Sequence, residues 1–266
     1  MNGFAGILEY LAETWKRRYF WVSLAKLDLK MRYRGSLLGI GWSLFHPLAS
    51  TAIYCIIFGA IFQADIRSYV PFLLSGLAAW TFISTSILEG CNTIRAAEKF
   101  MRVYPAPIVI YGLRTLGGLS FHFFVILAIT VIFSWILLGF GNLAVLPCLI
   151  PAILILTVFC WSVIMILGIL DVYFPDNKHM MQIVLQLLFY AVPIIYPPDA
   201  LRHEMLRTFI NHNPLSALII LIRDPIVNMQ VPATEVWVVA IGTTLISFCL
   251  ASVLIKRTER YLVLHL

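Results

Sequence analysis

Charged residues stop abruptly near the start of this chain, and that boundary constrains its fold more than any other feature. Basic side chains recur at Lys26, Lys30, Arg32 and Arg34, and no residue from Gly35 to Ala64 is charged. A helix of about 20 apolar residues crosses the hydrocarbon core of a bilayer, so the uncharged stretch is long enough to span it. A proline at position 47 predicts a kink. The segment therefore predicts a basic collar that leads directly into a kinked membrane helix.

The composition excludes an ordinary soluble domain. Hydrophobic residues make up 61% of the 266 residues and charged residues 12%, about half the charged share of a soluble protein. The net charge of +6 fits loops that face anionic lipid, and we do not expect a nucleic-acid partner. The five cysteines lie in or beside apolar segments without metal-ligand spacing, so we expect neither a metal site nor a redox site.

Uncharged stretches predict an all-α polytopic membrane protein with six spans. The spans are placed by the length of each charge-free stretch. Residues 115–170 are uncharged but too long for one helix, and the turn-like sequence GFGN splits them into a third and a fourth span. Residues 208–222 are uncharged but too short to cross, and they predict a re-entrant outer loop before the last span. The other predicted spans are 36–62, 69–89, 179–197 and 236–255.

The first residues predict a helix that lies in the membrane interface. Apolar residues recur at helical spacing through residues 4–21, Trp15 among them, while Lys16 and Arg17 fall on another face. Such amphipathicity is typical of an interfacial helix. Lys and Arg are concentrated before the first span, between the second and third spans, and after the last. By the positive-inside rule both termini are therefore expected in the cytoplasm.

Residues 92–105 predict a short helix between the second and third spans. Asn92 is suited to cap its start and Pro105 to stop it. One face of this helix is apolar, and either it is a solvated turn or its polar face docks a soluble partner. The polar face carries Arg95, Glu98, Lys99 and Arg102.

Aromatic residues at helical spacing predict either packing and interfacial belts or a surface along which a sugar chain slides. A stacked ring holds the C–H face of a sugar without a fixed hydrogen-bond register. The residues concerned are Tyr54, Phe58 and Phe62 in the first span, and Phe189, Tyr190 and Tyr196 in the fifth.

Two absences limit the possible functions. The sequence contains no GxxxxGK[ST] phosphate-binding loop, so the chain itself is not expected to bind ATP. No carboxylate lies near the middle of a predicted span, as ion-coupled transport usually requires. His46 and His122 are the imidazoles within the spans, and we interpret both as hydrogen-bonded packing residues.

Residues 32–48, RYRGSLLGIGWSLFHPL, closely resemble the start of the first span in membrane subunits of ATP-binding-cassette exporters for polysaccharides. This first-span motif consists of residues 32–48. The outer loop resembles the same family, which has an Asn-Pro step, an apolar stretch and an arginine. The inner loop DVYFPDNKH at 171–179 departs from the family pattern. The residues that carry the resemblance are Arg32, Tyr33, Arg34, Gly35, Trp42, Pro47, Asn213, Pro214 and Arg223.

The resemblance implies a single permease domain over 1–266, with an interface segment at 1–35, a membrane domain at 36–255 and a cytoplasmic tail at 256–266. It implies a homodimer in the bacterial cytoplasmic (inner) membrane, driven by two ATPase chains that bind ATP and Mg²⁺. The 92–105 helix would couple to the ATPase. This chain would carry no cofactor and would not be an enzyme. The substrate would be a lipid-linked polysaccharide such as O-antigen.

Other functions remain open at this point. Related exporters carry capsule polysaccharide or teichoic acid. A membrane glycosyltransferase or acyltransferase would need paired carboxylate or histidine side chains at the membrane surface, and a secondary transporter or channel would need polar groups within its spans.

Overall fold

The computed structural model describes residues 12–36, 39–103, 106–141, 143–197, 203–211 and 213–265. From Arg18 onward these residues form nine α-helices, together with two 3₁₀ turns and one π turn. The helices are α1 (Arg18–Arg32), α2 (Trp42–Phe62), α3 (Ile66–Val103), α4 (Val109–Leu138), α5 (Leu149–Tyr173), α6 (Asn177–Ala191), α7 (Glu204–Asn211), α8 (Pro214–Arg223) and α9 (Thr234–His265).

Five of the described helices are long and apolar enough to cross a membrane: α2, α3, α4, α5 and α9. The predicted boundary between the third and fourth spans is confirmed, since α4 ends at Leu138 and Gly139 has a φ of +85°. The predicted last span, 236–255, lies inside α9. That helix continues to His265, so residues 256–265 of the predicted tail extend the last helix.

The helix α3 is the centre of the bundle and packs against α2, α4, α5, α6 and α8. Its 38 residues give a length of about 57 Å at 1.5 Å per residue. It approaches α5 most closely where Gly90 faces Gly168. A Cβ added at Gly90 would lie 2.9 Å from Ile164 Cα, and one at Gly168 would lie 3.0 Å from Gly90 O. Small residues at this crossing allow the two backbones to pack closely, as is common between membrane helices.

The prediction of a separate short helix at 92–105 is wrong. Helix α3 runs without a break from Ile66 to Val103, and Asn92 is exposed in its middle rather than capping a start. The predicted apolar face explains the continuity, because Ile94, Ala97 and Met101 are buried in a second core with α4, α5 and α9. That packing stabilises the last turns of α3.

The predicted fifth span at 179–197 is also revised. Helix α6 has 15 residues and ends at Ala191, after which residues 192–196 form an irregular, mostly buried segment. Pro193 contributes to this ending because a proline lacks the N–H of a helical hydrogen bond. We call residues 190–195 the break segment.

Every backbone carbonyl of the break segment accepts a hydrogen bond. The Val192 carbonyl accepts from the Ile194 N–H at 2.8 Å, and side chains serve the other five. Tyr196 Oη donates to the Tyr190 carbonyl (2.7 Å), Asn213 Nδ2 to Ala191 (3.2 Å), Arg223 Nη1 to Pro193 (2.8 Å), Arg223 Nη2 to Ile194 (3.5 Å) and Tyr69 Oη to Ile195 (2.6 Å).

Two short helices, α7 and α8, follow the break segment in the chain. Asn213 caps α8, because its Oδ1 accepts from the Leu215 N–H at 3.0 Å, and Pro214 is the first helical residue. Helix α8 ends at Arg223, which is 3% exposed. The guanidinium lies 3.8 Å from the centroid of the Phe72 ring on α3, and a Cβ at Gly76 would collide with it.

The N-terminal helix is longer than predicted. Residues 12–16 are helical, and after a turn at Arg17 helix α1 continues to Arg32, beyond the predicted end at residue 21. Leu24 and Ala25 are buried, with Ala25 against Gly117 of α4. That contact on α4 explains the extension. Residues 4–11 of the predicted amphipathic stretch lie outside the described residues.

Candidate functional site

Basic side chains from separate parts of the chain meet at one end of the bundle, which we call the basic end. It comprises the last turns of α1, α3 and α5, the start of α4, and the part of α9 around Ile255. The second core joins the ends of α3, α5 and α9 to the start of α4, and α1 packs on α4. Exposed cations there include Lys26, Lys30, Lys99, Lys256 and Arg257.

The predicted polar face at the end of α3 is divided between a partnered and an exposed residue. Arg95 Nε donates to Asp171 Oδ2 on α5 at 2.8 Å, and Arg95 Nη2 donates to the Asp171 carbonyl at 2.5 Å. The Asp171 side chain is 7% exposed, so this ion pair fixes α3 to α5. Lys99 is exposed and Glu98 partly exposed, whereas the side chain of Arg102 lies outside the part of the chain that the structure describes.

Two further ion pairs fix α1 to the bundle. Arg114 Nε and Nη2 donate to the two carboxylate oxygens of Asp28 at 2.6 and 2.7 Å, a bidentate geometry that sets orientation as well as distance. Arg32 Nη2 donates to Glu89 Oε1 on α3 at 3.2 Å, and both side chains are almost half exposed. The bidentate Asp28–Arg114 pair is therefore the main polar contact that holds α1 on α4, and the exposed Arg32–Glu89 pair contributes little.

The first-span motif forms the turn from α1 into α2. Tyr33 Oη and His122 Nδ1 of α4 are 3.1 Å apart and hydrogen-bonded, which agrees with a packing role for this histidine. Gly35 has a φ of +78°, a conformation that favours glycine. Trp42 begins α2, and Pro47 lies inside it. Residues 37 and 38 of the motif lie outside the described residues, and Arg34 is exposed.

A cavity of about 510 Å³ lies behind this turn. The end of α1, the start of α2 and the middle of α3 and α4 form its wall. Its polar lining residues include Arg32, Tyr33, Ser36, His46 and His122, and its apolar ones include Phe82 and Phe123.

The six aromatic residues predicted to share a surface form one connected cluster. Along α2, the ring centroids of Tyr54 and Phe58 are 6.0 Å apart, and those of Phe58 and Phe62 are 6.1 Å apart. Phe189 of α6 joins them, 6.3 Å from Tyr54 and 5.4 Å from Tyr190. Tyr196 is connected through its hydrogen bond to the Tyr190 carbonyl. We call these six residues the aromatic stripe.

The predicted interface residues lie on a weakly covered surface. Trp15 is 66% exposed and Tyr19 is 73% exposed, and the guanidinium of Arg18 lies over both rings. Arg17 forms an ion pair with Glu13 at 2.7 Å, and Lys16 is exposed. Large apolar rings beside exposed basic side chains suit a bilayer surface.

The most structured contacts at the basic end come from residues that the sequence analysis did not select. Asp28, Glu89, Arg114 and Asp171 each form an interhelical ion pair. The sequence does contain a sign of such pairs, because these charged residues lie close to the ends of uncharged stretches, where a charge needs a partner or water. Their pairing could not be read from spacing, since the partners are 57 to 86 residues apart.

The described residues offer no arrangement for bond chemistry. Within them, no three His, Cys, Asp or Glu side chains are grouped so that they could hold a metal ion. Three carboxylates at the basic end, those of Asp28, Glu89 and Asp171, are each paired with an arginine. Such an arrangement serves to join helices.

Comparison with known proteins agrees with this architecture. The family model for ABC-2 type transporters matches residues 19–227. Two proteins from Klebsiella pneumoniae, each named O-antigen export system permease protein RfbA, are 29% and 28% identical over 212 residues, which is 78% of this chain and 80% of theirs. A protein of the same name from Myxococcus xanthus is 25% identical over 225 residues, 80% of this chain and 82% of that one. Because the family match covers most of its length, this chain belongs to the ABC-2 type transporter membrane family.

Proposed function

We propose that this chain is the permease subunit of an ATP-driven exporter that moves a lipid-linked, O-antigen-like polysaccharide across the bacterial cytoplasmic membrane. The observation that carries the proposal is the similarity over about 80% of the chain to relatives named O-antigen export permeases. The apolar helix bundle and the missing phosphate-binding loop support a transport subunit without its own ATPase. No feature of the chain favours capsule or teichoic acid over O-antigen.

The proposal includes a sixth membrane crossing formed by α6 together with the break segment. The 15 residues of α6 rise about 22 Å, short of the roughly 30 Å hydrocarbon core. Residues 192–197 would cover the remaining distance, because the carbonyls of residues 192–195 are bonded within the protein and need no water. Six crossings place both termini on the cytoplasmic side with the basic end, in agreement with the positive-inside rule.

In this topology α7 and α8 are the re-entrant helices of the outer side. Eight and ten residues long, they are too short to cross the bilayer. The buried Arg223 would hold α8 against α3. Helix α1, with its exposed Trp15 and Tyr19, would lie in the cytoplasmic interface.

The basic end is the proposed docking site for the ATPase chains, which would bind ATP and Mg²⁺. The exposed Lys99, on the last turns of α3, would contact the ATPase, with Glu98 and Arg102 nearby. Arg95 has a different role, because it joins α3 to α5 through Asp171. Motion at the end of α3 would pass along this single helix to the outer side, where Phe72 contacts Arg223.

The aromatic stripe is the proposed wall of the polysaccharide path. It lies where Tyr54 of α2 meets Phe189 of α6. Helix α2 is also the least buried of the five long helices. A second copy of the chain facing α2 and α6 would enclose the stripe in a homodimer. Rings that stack on sugars contribute roughly 1 kcal/mol or less each, weak enough for a polymer to slide.

The function is tested directly in proteoliposomes that contain the complex and a lipid-linked O-polysaccharide. We expect ATP-dependent movement of the glycan to the opposite leaflet, measured with a lectin, only when the ATPase is present. The triple substitution Tyr54→Leu, Phe58→Leu, Phe62→Leu should slow it by about fivefold or more, because about 1 kcal/mol, the contribution of roughly one ring, already corresponds to about a fivefold change. The matched control is Phe121→Leu, Phe124→Leu, Phe133→Leu, exposed aromatics on α4.

Failure of the wild-type complex to move the glycan would contradict the function. Equal rates for the two triple variants would contradict the path but leave the function intact.

The docking site is tested by Lys99→Glu. Because the side chain of Lys99 is exposed, reversing its charge should leave the melting temperature of the protein unchanged. It should weaken ATPase association by about tenfold, the size of a lost charge-assisted contact. Co-purification and titration with the ATPase measure this association. The control is Arg67→Glu, an exposed arginine at the opposite end of α3. Undiminished association of the Lys99→Glu chain would exclude this docking surface.

The topology is tested by cysteine labelling in a background where all five native cysteines are replaced. Met205 on α7 is 85% exposed, so Met205→Cys should react with a membrane-impermeant maleimide added to spheroplasts. Lys99→Cys should react only after lysis, which also shows that the site is reachable. Reaction at position 99 before lysis would overturn the proposed orientation.

A further inference from the structure

The cavity behind the first-span motif has the features of a lipid site. Its volume of about 510 Å³ is far larger than a phosphate ion needs. Helices α3 and α4 contribute mostly apolar residues, among them Phe82, Leu119, Phe123 and Ile126, together with Thr81, Thr85 and His122. The end of α1, the turn and the start of α2 contribute Arg32, Tyr33, Ser36 and His46, together with Trp42 and Pro47.

A lining of this kind suits an amphiphile rather than a soluble anion. A soluble phosphate gains nothing from an apolar wall, whereas a lipid places its headgroup against polar side chains and the start of its acyl chain against apolar ones. The cavity lies at the boundary where basic residues end and the uncharged stretch begins at Gly35. That boundary is the depth of lipid phosphates.

Arg32 is the group on this wall best suited to bind a phosphate. Its contact with Glu89 is a single 3.2 Å hydrogen bond between side chains that are 48% and 45% exposed. Ion pairs this exposed contribute little, and a guanidinium carries five N–H donors. The pair is therefore easily rearranged to let Arg32 bind a phosphate in the bidentate manner that guanidinium favours.

We propose that this cavity binds the phosphate-bearing headgroup of an anionic membrane lipid, with Arg32 as the phosphate ligand and the Phe82–Phe123 side as the seat of the acyl chain. The two rings are stacked with centroids 4.6 Å apart and form a rigid apolar surface. The inference goes beyond the proposed function, because it depends on neither the polysaccharide nor the ATPase.

The site also has a structural consequence. The lipid would contact α1 through Arg32, the turn through Ser36, α2 through His46, and α3 and α4 through the apolar wall. A bound headgroup would therefore stabilise the arrangement of the first three long helices. An anionic lipid would be expected to raise the melting temperature of the purified chain where a zwitterionic lipid does not.

The test measures binding of fluorescent phosphatidylglycerol, whose headgroup has a net negative charge, to the full-length chain in detergent. Phosphatidylcholine is the zwitterionic comparison, because its ammonium group offsets the charge of its phosphate. We expect Arg32→Gln to weaken phosphatidylglycerol binding by about tenfold. Arg34→Gln is the matched control, because Arg34 is exposed two residues away and does not line the cavity; it should change binding by less than about twofold. Glu89→Gln should bind at least as tightly as the wild type, since it removes the competing carboxylate.

A second variant tests the cavity without changing charge. Thr81 lies on the cavity wall, and Thr81→Phe should fill the space and reduce lipid binding by about fivefold. The proposal is overturned if Arg32→Gln and Arg34→Gln weaken binding equally, or if phosphatidylcholine binds as tightly as phosphatidylglycerol. Displacement of the lipid by an equal concentration of inorganic pyrophosphate would also overturn it, because the site would then belong to soluble anions.

Discussion

A helix that ends in a buried position must satisfy its carbonyls without water, and the packing of α6, α8 and α3 depends on that constraint. The break segment is served by side chains from three directions: Tyr69 of α3, Asn213 and Arg223 around α8, and Tyr196 just beyond the break. Irregular backbone at membrane depth is tolerated only when the protein itself supplies such partners. These bonds therefore position α8 against α3 and define where α6 stops.

The basic end solves the corresponding problem with charges. Asp28–Arg114, Arg32–Glu89 and Arg95–Asp171 each join two helices at the edge of the uncharged stretches. Because α3 takes part in two of these pairs and also contacts Arg223, one continuous helix connects the basic end with α8.

Charge and hydropathy were sufficient to predict much of this fold. The turn at Gly139, the α8 helix after Asn213 and the buried face formed by Ile94, Ala97 and Met101 all followed from local pattern, because capping and helical periodicity are local properties. The continuity of α3 and the early end of α6 did not. Both depend on distant partners, the second core and Arg223 respectively, and one sequence carries no sign of which residues meet. The ion pairs were missed for the same reason.

The most direct test of this account is the thermal stability of Arg223→Gln in detergent, compared with Arg67→Gln on the exposed first turn of α3. Loss of the guanidinium leaves the Pro193 and Ile194 carbonyls buried without their donor, at a cost of about 1–3 kcal/mol. We expect the melting temperature of Arg223→Gln to fall by several degrees while that of Arg67→Gln stays at the wild-type value. Equal melting temperatures for both variants and the wild type would contradict the claim that Arg223 holds the break segment.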